Sequence, residues 1–163
     1  MPARRKSRQR ALQALYMWDL RGMPIEEAVE DFRRWLYHAE REEDSGEESD
    51  LPPDPDPFME ALAVGTAREV AALDEQISRH AEHWRLERMP RVDRSILRMA
   101  VYEMRDLGTP APVVIDEALE LARRYTGEEA IPFLNGVLDA VRKSLFGAEG
   151  PPSADRPPQA GAG

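Results

Sequence analysis

The sequence predicts an all-α protein of about seven helices in one domain. Apolar residues recur at spacings of three and four over most of the chain, which is the period of an amphipathic helix. No stretch of useful length alternates apolar and polar residues, as a half-buried strand would. The chain has 163 residues, of which 42% are hydrophobic, and this is enough for a single core.

Two helices are predicted before a linker. The first covers about residues 5–20 and ends at Gly22. The second covers about residues 24–38, where proline suits the first helical turn. Residues 39–57 are acidic, rich in proline and without apolar periodicity, so we expect a solvated loop there.

Apolar stripes predict four further helices and one short helical piece after the linker. The predicted ranges are about 57–80, 81–87 for the short piece, 91–107, 113–125 and 130–146. We expect Asn135 and Gly136 to allow close helix packing. Glycine, proline and alanine dominate residues 148–163, which predicts a disordered tail and leaves 1–147 as the domain.

The charge of the chain is distributed unevenly. The formal net charge is −9, but residues 40–56 contain nine acids and one arginine, so the rest of the chain is nearly neutral. The first ten residues contain five basic side chains and no acid. We call these the N-terminal basic cluster, which consists of Arg4, Arg5, Lys6, Arg8 and Arg10. A regulatory role for the acidic loop, as a competitor for whatever this cluster binds, is the alternative to a plain solvated loop.

The N-terminal basic cluster, with Tyr16 two to three turns further on, suits RNA. Guanidinium groups pair with phosphates, and aromatic rings stack on unpaired bases. Like charges at a helix N-terminus oppose the helix dipole, so we expect an anion to order them. On an ideal helix Arg4, Arg5 and Arg8 share one arc. Binding to a membrane surface, or a frayed arm without a ligand, are the alternatives that composition leaves open.

Several kinds of catalytic and metal sites are missing from the sequence. There is no cysteine, which excludes disulfides, thiolate zinc sites and cysteine nucleophiles and fits a reducing cytoplasm. Phosphate-binding P-loops and Gly-x-Ser-x-Gly turns are absent, and no apolar run is long enough to span a membrane. His80 and His83 are expected to be solvated helix-end residues. Glu117 and Glu120 are expected to form a surface ion-pair ladder with the arginines one turn on.

A second basic stripe lies in the segment RVDRSILRMAVYEMRDL. It consists of Arg91, Arg94, Arg98, Tyr102 and Arg105, which fall on one side of an ideal helix. Acids lie close in the sequence, so we favour internal ion pairs over a ligand site for these arginines.

The chain resembles the NusB family of transcription antitermination factors. The similarity lies in three blocks, in the family's order: RRKSRQRALQALYMWD, RVDRSILRMAVYEM and VVIDEALELARRYTGEEAIPFLNGVLDAV. They cover most of the chain between Arg4 and Val141, and the run FLNGVLD from Phe133 to Asp139 is the most specific part.

The resemblance implies an all-helical fold of two small bundles packed together, in a protein that is not an enzyme and uses no cofactor. It implies a heterodimer with the small-subunit ribosomal protein NusE. The pair would bind the boxA element of nascent RNA, notably ribosomal RNA, within the RNA polymerase antitermination complex. Self-association through the partner's surface, as a homodimer, is a further possibility. The expected location is the cytoplasm.

The resemblance also assigns roles to single residues. The RNA-binding candidates are Arg4, Arg5, Lys6, Arg8, Tyr16, Glu87 and Phe133. The candidates for contacts with the protein partner are Asp93 and Glu129. No catalytic residue and no metal ligand is implied. Two other functions are weighed against this one: a helical module related to the N-terminal domain of RNA methyltransferases, and an interaction module whose basic arm binds an acidic protein.

Overall fold

The computed structural model describes residues 3–43 and 55–147, and these ranges contain α-helices, two 3₁₀ turns and no strand. The helices are α1 (Arg4–Arg21), α2 (Ile25–Glu43), α3 (Pro57–Arg68), α4 (Val70–His80), α5 (Arg91–Asp106), α6 (Ala111–Tyr125) and α7 (Ile131–Phe146). The 3₁₀ turns are Leu86–Arg88 and Glu128–Ala130. The predicted all-α class is confirmed. The predictions for residues 44–54 of the linker and for the tail 148–163 fall outside the described residues.

The helices form two bundles that share α5. Helices α1, α2 and α3 pack on one another, and α4, α6 and α7 pack around α5, which also contacts α1 and α3. Fully buried side chains from both bundles, among them Leu15, Leu62, Ile96 and Leu134, belong to one continuous core. The arrangement implied by the family resemblance is therefore the observed one.

The predicted helix over 57–80 is wrong, because the chain leaves the helical path at Glu69, where φ is −97° and ψ is 12°. The break separates α3, which packs on α1 and α2, from α4, which packs on α5 and α7. One straight helix could not bury its apolar stripe in both bundles. The predicted piece over 81–87 is only the 3₁₀ turn Leu86–Arg88, and α2 continues to Glu43, five residues into the predicted linker.

Close helix packing depends on a different glycine from the predicted one. Asn135 and Gly136 are both exposed, and a Cβ added to Gly136 would meet nothing within 4 Å. A Cβ on Gly65 in α3 would instead lie 2.0 Å from the hydroxyl of Tyr102 in α5. The expectation for Asn135 and Gly136 is therefore wrong, and Gly65 is the residue that lets a tyrosine ring lie against a helix backbone.

Asp56, the last acid of the linker, ties α1 to the start of α3. Its carboxylate accepts hydrogen bonds from the Met59 amide at 3.1 Å, which caps α3, and from the Ser7 hydroxyl at 2.7 Å. The buried guanidinium of Arg10 lies 3.3 Å from the same carboxylate. Arg10 therefore stabilises the contact between α1 and the start of α3.

The arginines of α5 are held by internal ion pairs, as predicted, but the partners of Arg94 and Arg98 lie on other helices and are not the acids close to them in the sequence. Arg94 donates two hydrogen bonds to Asp19 in α1, at 2.7 and 2.9 Å. Arg98 donates two to Asp74 in α4, at 2.7 and 2.8 Å. Arg105 also lies 3.4 Å from an acid at the α3–α4 break. These pairs join α5 to both bundles and leave the stripe with a structural role.

Candidate nucleic-acid interface

Helices α1 and α6 lie side by side and run in the same direction. Arg5 is hydrogen-bonded to Glu117 and Gln13 to Tyr125, and both pairs are separated by 112 residues, so the register between the two helices is constant. A groove of about 350 Å³ follows this contact. We call it the α1–α6 groove; its polar lining comprises Arg5, Gln9, Glu117, Glu120, Arg123 and Arg124.

Arg5 sits at the mouth of the α1–α6 groove in a two-point ion pair. Its Nε and Nη2 donate to the two carboxylate oxygens of Glu117, at 3.1 and 3.0 Å. The side chain of Arg5 is 65% exposed and that of Glu117 is 17% exposed. The hydrogen bonds from Arg5 hold the pKa of Glu117 below its ordinary value. The Nη1 edge of Arg5 makes no hydrogen bond within residues 3–43 and 55–147, so it is available to an anion.

Arg4 and Lys6 are exposed and form no ion pair with the part of the chain that the structure describes. The Arg4 guanidinium lies 4.7 Å from the ring centroid of Phe58, which supports the side chain without neutralising its charge. Two full charges and the free edge of Arg5 therefore lie on three consecutive residues at the start of α1. This is the arrangement that favours phosphates.

Arg8 does not belong to this exposed group. It is 5% exposed, and its Nε lies 3.0 Å from a carboxylate oxygen of Glu103 in α5, which is itself 1% exposed. An ideal-helix projection puts Arg8 on the same arc as Arg4 and Arg5, but α1 packs on α5 along this side. The structure therefore gives Arg8 a structural role, and the prediction of a direct RNA contact by this residue is not supported.

One face of α1 continues from Arg5 through Gln9 and Gln13 to Tyr16, which is 38% exposed. The Gln13 amide donates to the Tyr125 hydroxyl at 3.2 Å. Sequence reasoning found the two ends of this face and missed the glutamines, although Gln9 and Gln13 follow Arg5 at successive spacings of four residues, which is a readable signal. It also missed the role of α6, whose arginines complete the groove.

The ion-pair ladder predicted on α6 is confirmed only in part. Arg123 pairs with Glu120 at 2.5 Å within the helix. Glu117 pairs instead with Arg5 of α1, and the guanidinium of Arg124 lies 5.6 Å from the ring centroid of Tyr125. One rung of the expected ladder is therefore a contact between helices.

A second groove, which we call the apolar groove, lies where α1, α2, α5 and α6 meet. Its volume is about 580 Å³, and its lining is mostly aromatic or aliphatic. Its lining includes Tyr16, Phe32, Trp35, Val92 and Tyr125. Trp35 is 59% exposed and its ring stacks on that of Phe32 with centroids 5.8 Å apart. Tyr16 lines this groove and ends the polar face of α1, so the two surfaces adjoin.

The two candidates for partner contacts lie at the ends of helices. Asp93, in the first turn of α5, is buried, and its Oδ1 has no hydrogen-bond partner within the described residues. Burial raises the pKa of Asp93, and the Thr126 hydroxyl opposes this change. Val92, its neighbour in the sequence, lines the apolar groove. Glu129 is exposed in the 3₁₀ turn Glu128–Ala130.

Phe133 forms an aromatic pair with a residue that the sequence did not single out. Its ring lies 5.2 Å from that of Trp84, tilted by 51°, and Trp84 is 59% exposed. Glu87 is exposed in the 3₁₀ turn that follows Trp84. No hydrogen bond or ring contact in the described ranges joins Phe133 or Glu87 to α1, so the structure does not bring all RNA candidates into one cluster.

The described ranges hold no group of three or more histidine, cysteine or acidic side chains that could bind a metal ion. His80 is half-buried and His83 is exposed. None of the helices in these ranges is both long enough and apolar enough to cross a membrane.

Comparisons with known proteins point to one family. The NusB family model matches residues 5–143. The chain is 52% identical to the transcription antitermination protein NusB of Solibacter usitatus, over 94% of this chain and 97% of that protein. It is 39% identical to NusB of Bacillus subtilis, over 87% of this chain and 96% of that one.

Solved structures agree with the sequence matches. A structure of T. maritima NusB aligns with a TM-score of 0.69 at 30% identity, over 93% of this chain and 94% of that chain. A crystal structure of the antitermination factors NusB and NusE in complex with dsRNA aligns with a TM-score of 0.67 at 28% identity, over 86% and 96%. The expectation of a protein that is not an enzyme is confirmed by the family match. The chain belongs to the NusB family of transcription antitermination proteins.

Proposed function

We propose that this antitermination protein binds boxA-type RNA of nascent transcripts through the start of α1 and the α1–α6 groove. The observation that carries the proposal is the set of unengaged cations there: Arg4, Lys6 and the Nη1 edge of Arg5. Single-stranded RNA is held by such cations at its phosphates and by exposed rings at its bases. Tyr16 is the exposed ring at the far end of the α1 face that begins at Arg5.

The distribution of charge limits where RNA can bind. The chain has a formal net charge of −9, so the protein as a whole repels a polyanion. At 0.15 M salt electrostatic interactions are screened beyond about 8 Å, so a local patch of cations still attracts phosphates. RNA is therefore confined to the basic end of α1 and the adjoining groove.

The aromatic pair of Trp84 and Phe133 offers a second contact for the RNA. An exposed tryptophan ring supported by a neighbouring ring is a stacking surface for an unpaired base. Glu87, close to Trp84 in the sequence, is an acceptor for the amino group of a base. We propose that the RNA extends from α1 to this pair when the partner protein is present.

The apolar groove is the surface that we propose for the ribosomal protein NusE. Trp35 offers the kind of large exposed aromatic anchor that dominates protein interfaces. Asp93, which we also propose for the contact with NusE, is the neighbour in the sequence of Val92, which lines this groove. The homologous crystal structure that contains NusB and NusE supports the pairing. A homodimer through the same groove would compete with NusE. The proposed assembly with RNA polymerase implies a cytoplasmic location.

The test is a fluorescence anisotropy titration of a boxA oligonucleotide with this protein, with NusE and with both. We expect the pair to bind more tightly than either protein alone, because two modest surfaces acting jointly raise the effective concentration. Trp35→Ala should remove the enhancement by NusE and leave the weak binding without NusE unchanged. Trp84→Ala, which removes an equally exposed ring, should weaken RNA binding and keep NusE bound.

Two results would overturn the proposal. One is binding of boxA RNA that is no tighter than binding of a scrambled oligonucleotide, with or without NusE. The other is an unchanged affinity after Arg4, Arg5 and Lys6 are all replaced by alanine. Size-exclusion chromatography of the protein alone shows whether a homodimer forms through the groove, since Trp35→Ala should then yield the monomer.

A further inference from the structure

We propose that Glu117 is a built-in competitor of RNA phosphates: it occupies Arg5 in the absence of RNA and so keeps the affinity for RNA of any sequence low. Glu120 acts in the same way on Arg123, with a smaller effect. This inference rests on the proposed RNA-binding function of the α1–α6 groove. The inference explains why two acids, Glu117 and Glu120, line a groove that is proposed to bind a polyanion.

The groove contains three arginines, and carboxylates engage two of them. Glu117 accepts from Arg5 at 3.1 and 3.0 Å, and Glu120 accepts from Arg123 at 2.5 Å. Arg124 is the groove arginine that forms no ion pair in residues 3–43 and 55–147; its guanidinium contacts a tyrosine ring. A phosphate that enters the groove must therefore share or replace a carboxylate at two of three positions.

The side chains of Arg5 and Glu117 differ in how far they can move. Glu117 is 17% exposed and is fixed on α6, whereas Arg5 is 65% exposed on a long side chain. When a phosphate draws Arg5 outward, Glu117 stays behind in its half-buried position and loses both hydrogen bonds. Leaving a partly desolvated carboxylate without its partner costs free energy. This cost opposes RNA binding and lowers the affinity.

Glu120 is a weaker competitor on the same grounds. Its side chain is 53% exposed and that of Arg123 is 43% exposed, so water solvates both groups after they separate. The pair also lies within one helix, three residues apart, where such contacts are worth little. We therefore expect Glu117 to lower the RNA affinity more than Glu120 does.

The consequence concerns RNA that is held by phosphates alone. Such binding is weak at physiological salt. With Glu117 occupying Arg5, RNA without base contacts or a protein partner is released, and matched RNA is retained by its additional contacts. The Glu117 carboxylate thus lowers the affinity most noticeably for RNA that is held by its phosphates alone.

The test compares Glu117→Gln with Asp116→Asn, which removes the same charge from the neighbouring exposed position outside the groove. We expect Glu117→Gln to tighten binding of boxA and of a scrambled oligonucleotide alike, by about fivefold, and to steepen the salt dependence by about one phosphate, or ~0.7 on single strands. Asp116→Asn should change the affinity less than about twofold. Circular dichroism should show that both variants keep the helical fold.

The double variant Arg5→Ala/Glu117→Gln decides whether the effect passes through Arg5. It should bind RNA no more tightly than Arg5→Ala alone. A Glu117→Gln protein that binds RNA equally or more weakly, or a gain that persists without Arg5, would overturn the inference. If Arg4→Ala/Arg5→Ala/Lys6→Ala leaves RNA binding unchanged, the proposed function at α1 fails. If this triple variant weakens binding but Arg5→Ala alone does not, or Glu117→Gln brings no gain, the competitor role alone fails.

Discussion

The ion pair between Arg8 and Glu103 gives the strongest test of how α1 is built. We consider Arg8→Ala, which leaves a carboxylate that is only 2% exposed without its cation. Removing one member of a buried pair costs about 3–5 kcal/mol, mainly because the remaining charge stays buried. Typical domains have a total stability of about 5–15 kcal/mol, so a large part of the fold's stability depends on this pair.

The assay is urea unfolding followed by circular dichroism at pH 7. Arg4→Ala is the matched control, because it removes a charge one turn away from an exposed side chain and should cost less than about 1 kcal/mol. Replacing the pair by apolar residues, as in Arg8→Met/Glu103→Met, should recover most of the loss. An Arg8→Ala protein as stable as Arg4→Ala would refute the reasoning and return Arg8 to the list of RNA contacts.

Three further predictions concern single residues. Asp93→Asn should raise the free energy of unfolding at pH 7 by about 1 kcal/mol, because burial raises the folded-state pKa of Asp93 and the wild type therefore loses stability as the pH rises above the pKa of the unfolded chain. The gain should vanish in urea unfolding below about pH 3.8, and a gain that persists there would contradict the raised pKa. Gly65→Ala should cost about 1–3 kcal/mol because its methyl group overlaps Tyr102, and Tyr102→Leu should restore part of the loss in thermal melts. Asp19→Ala should cost about 3 kcal/mol because it leaves Arg94 unpaired between the bundles, and a change below about 1 kcal/mol would show that the pair is dispensable.

Helix content and the faces of the helices were readable from the sequence because they depend on local periodicity. The buried stripe of α6, for example, follows directly from Val114, Ala118 and Leu121. The break at Glu69 was not readable, because no glycine or proline marks it. It arises from the need to bury one stripe in two bundles, which is a property of the whole fold.

The sequence indicated the residues of the candidate site correctly only where their exposure follows from their place in the chain. Arg4, Arg5 and Lys6 precede the packed part of α1 and are exposed, as a binding role requires. Arg8 has the same chemistry one turn later, but its environment is decided by Glu103, which is 95 residues away in the sequence. Contacts of this range, including Arg5 with Glu117, depend on the tertiary arrangement and leave no local signal.

The salt dependence of RNA binding tests whether the exposed start of α1 supplies the phosphate contacts. The variant Arg4→Ala/Arg5→Ala/Lys6→Ala is compared with Arg68→Ala/Arg79→Ala/Lys143→Ala, which removes three equally exposed charges from α3, α4 and α7. With NusE present, the α1 variant should lower the slope of log K against log salt by about 1.4, or ~0.7 for each phosphate held by Arg4 and Lys6, and the control should leave it unchanged. Equal slopes for the α1 variant and the wild type would contradict the account.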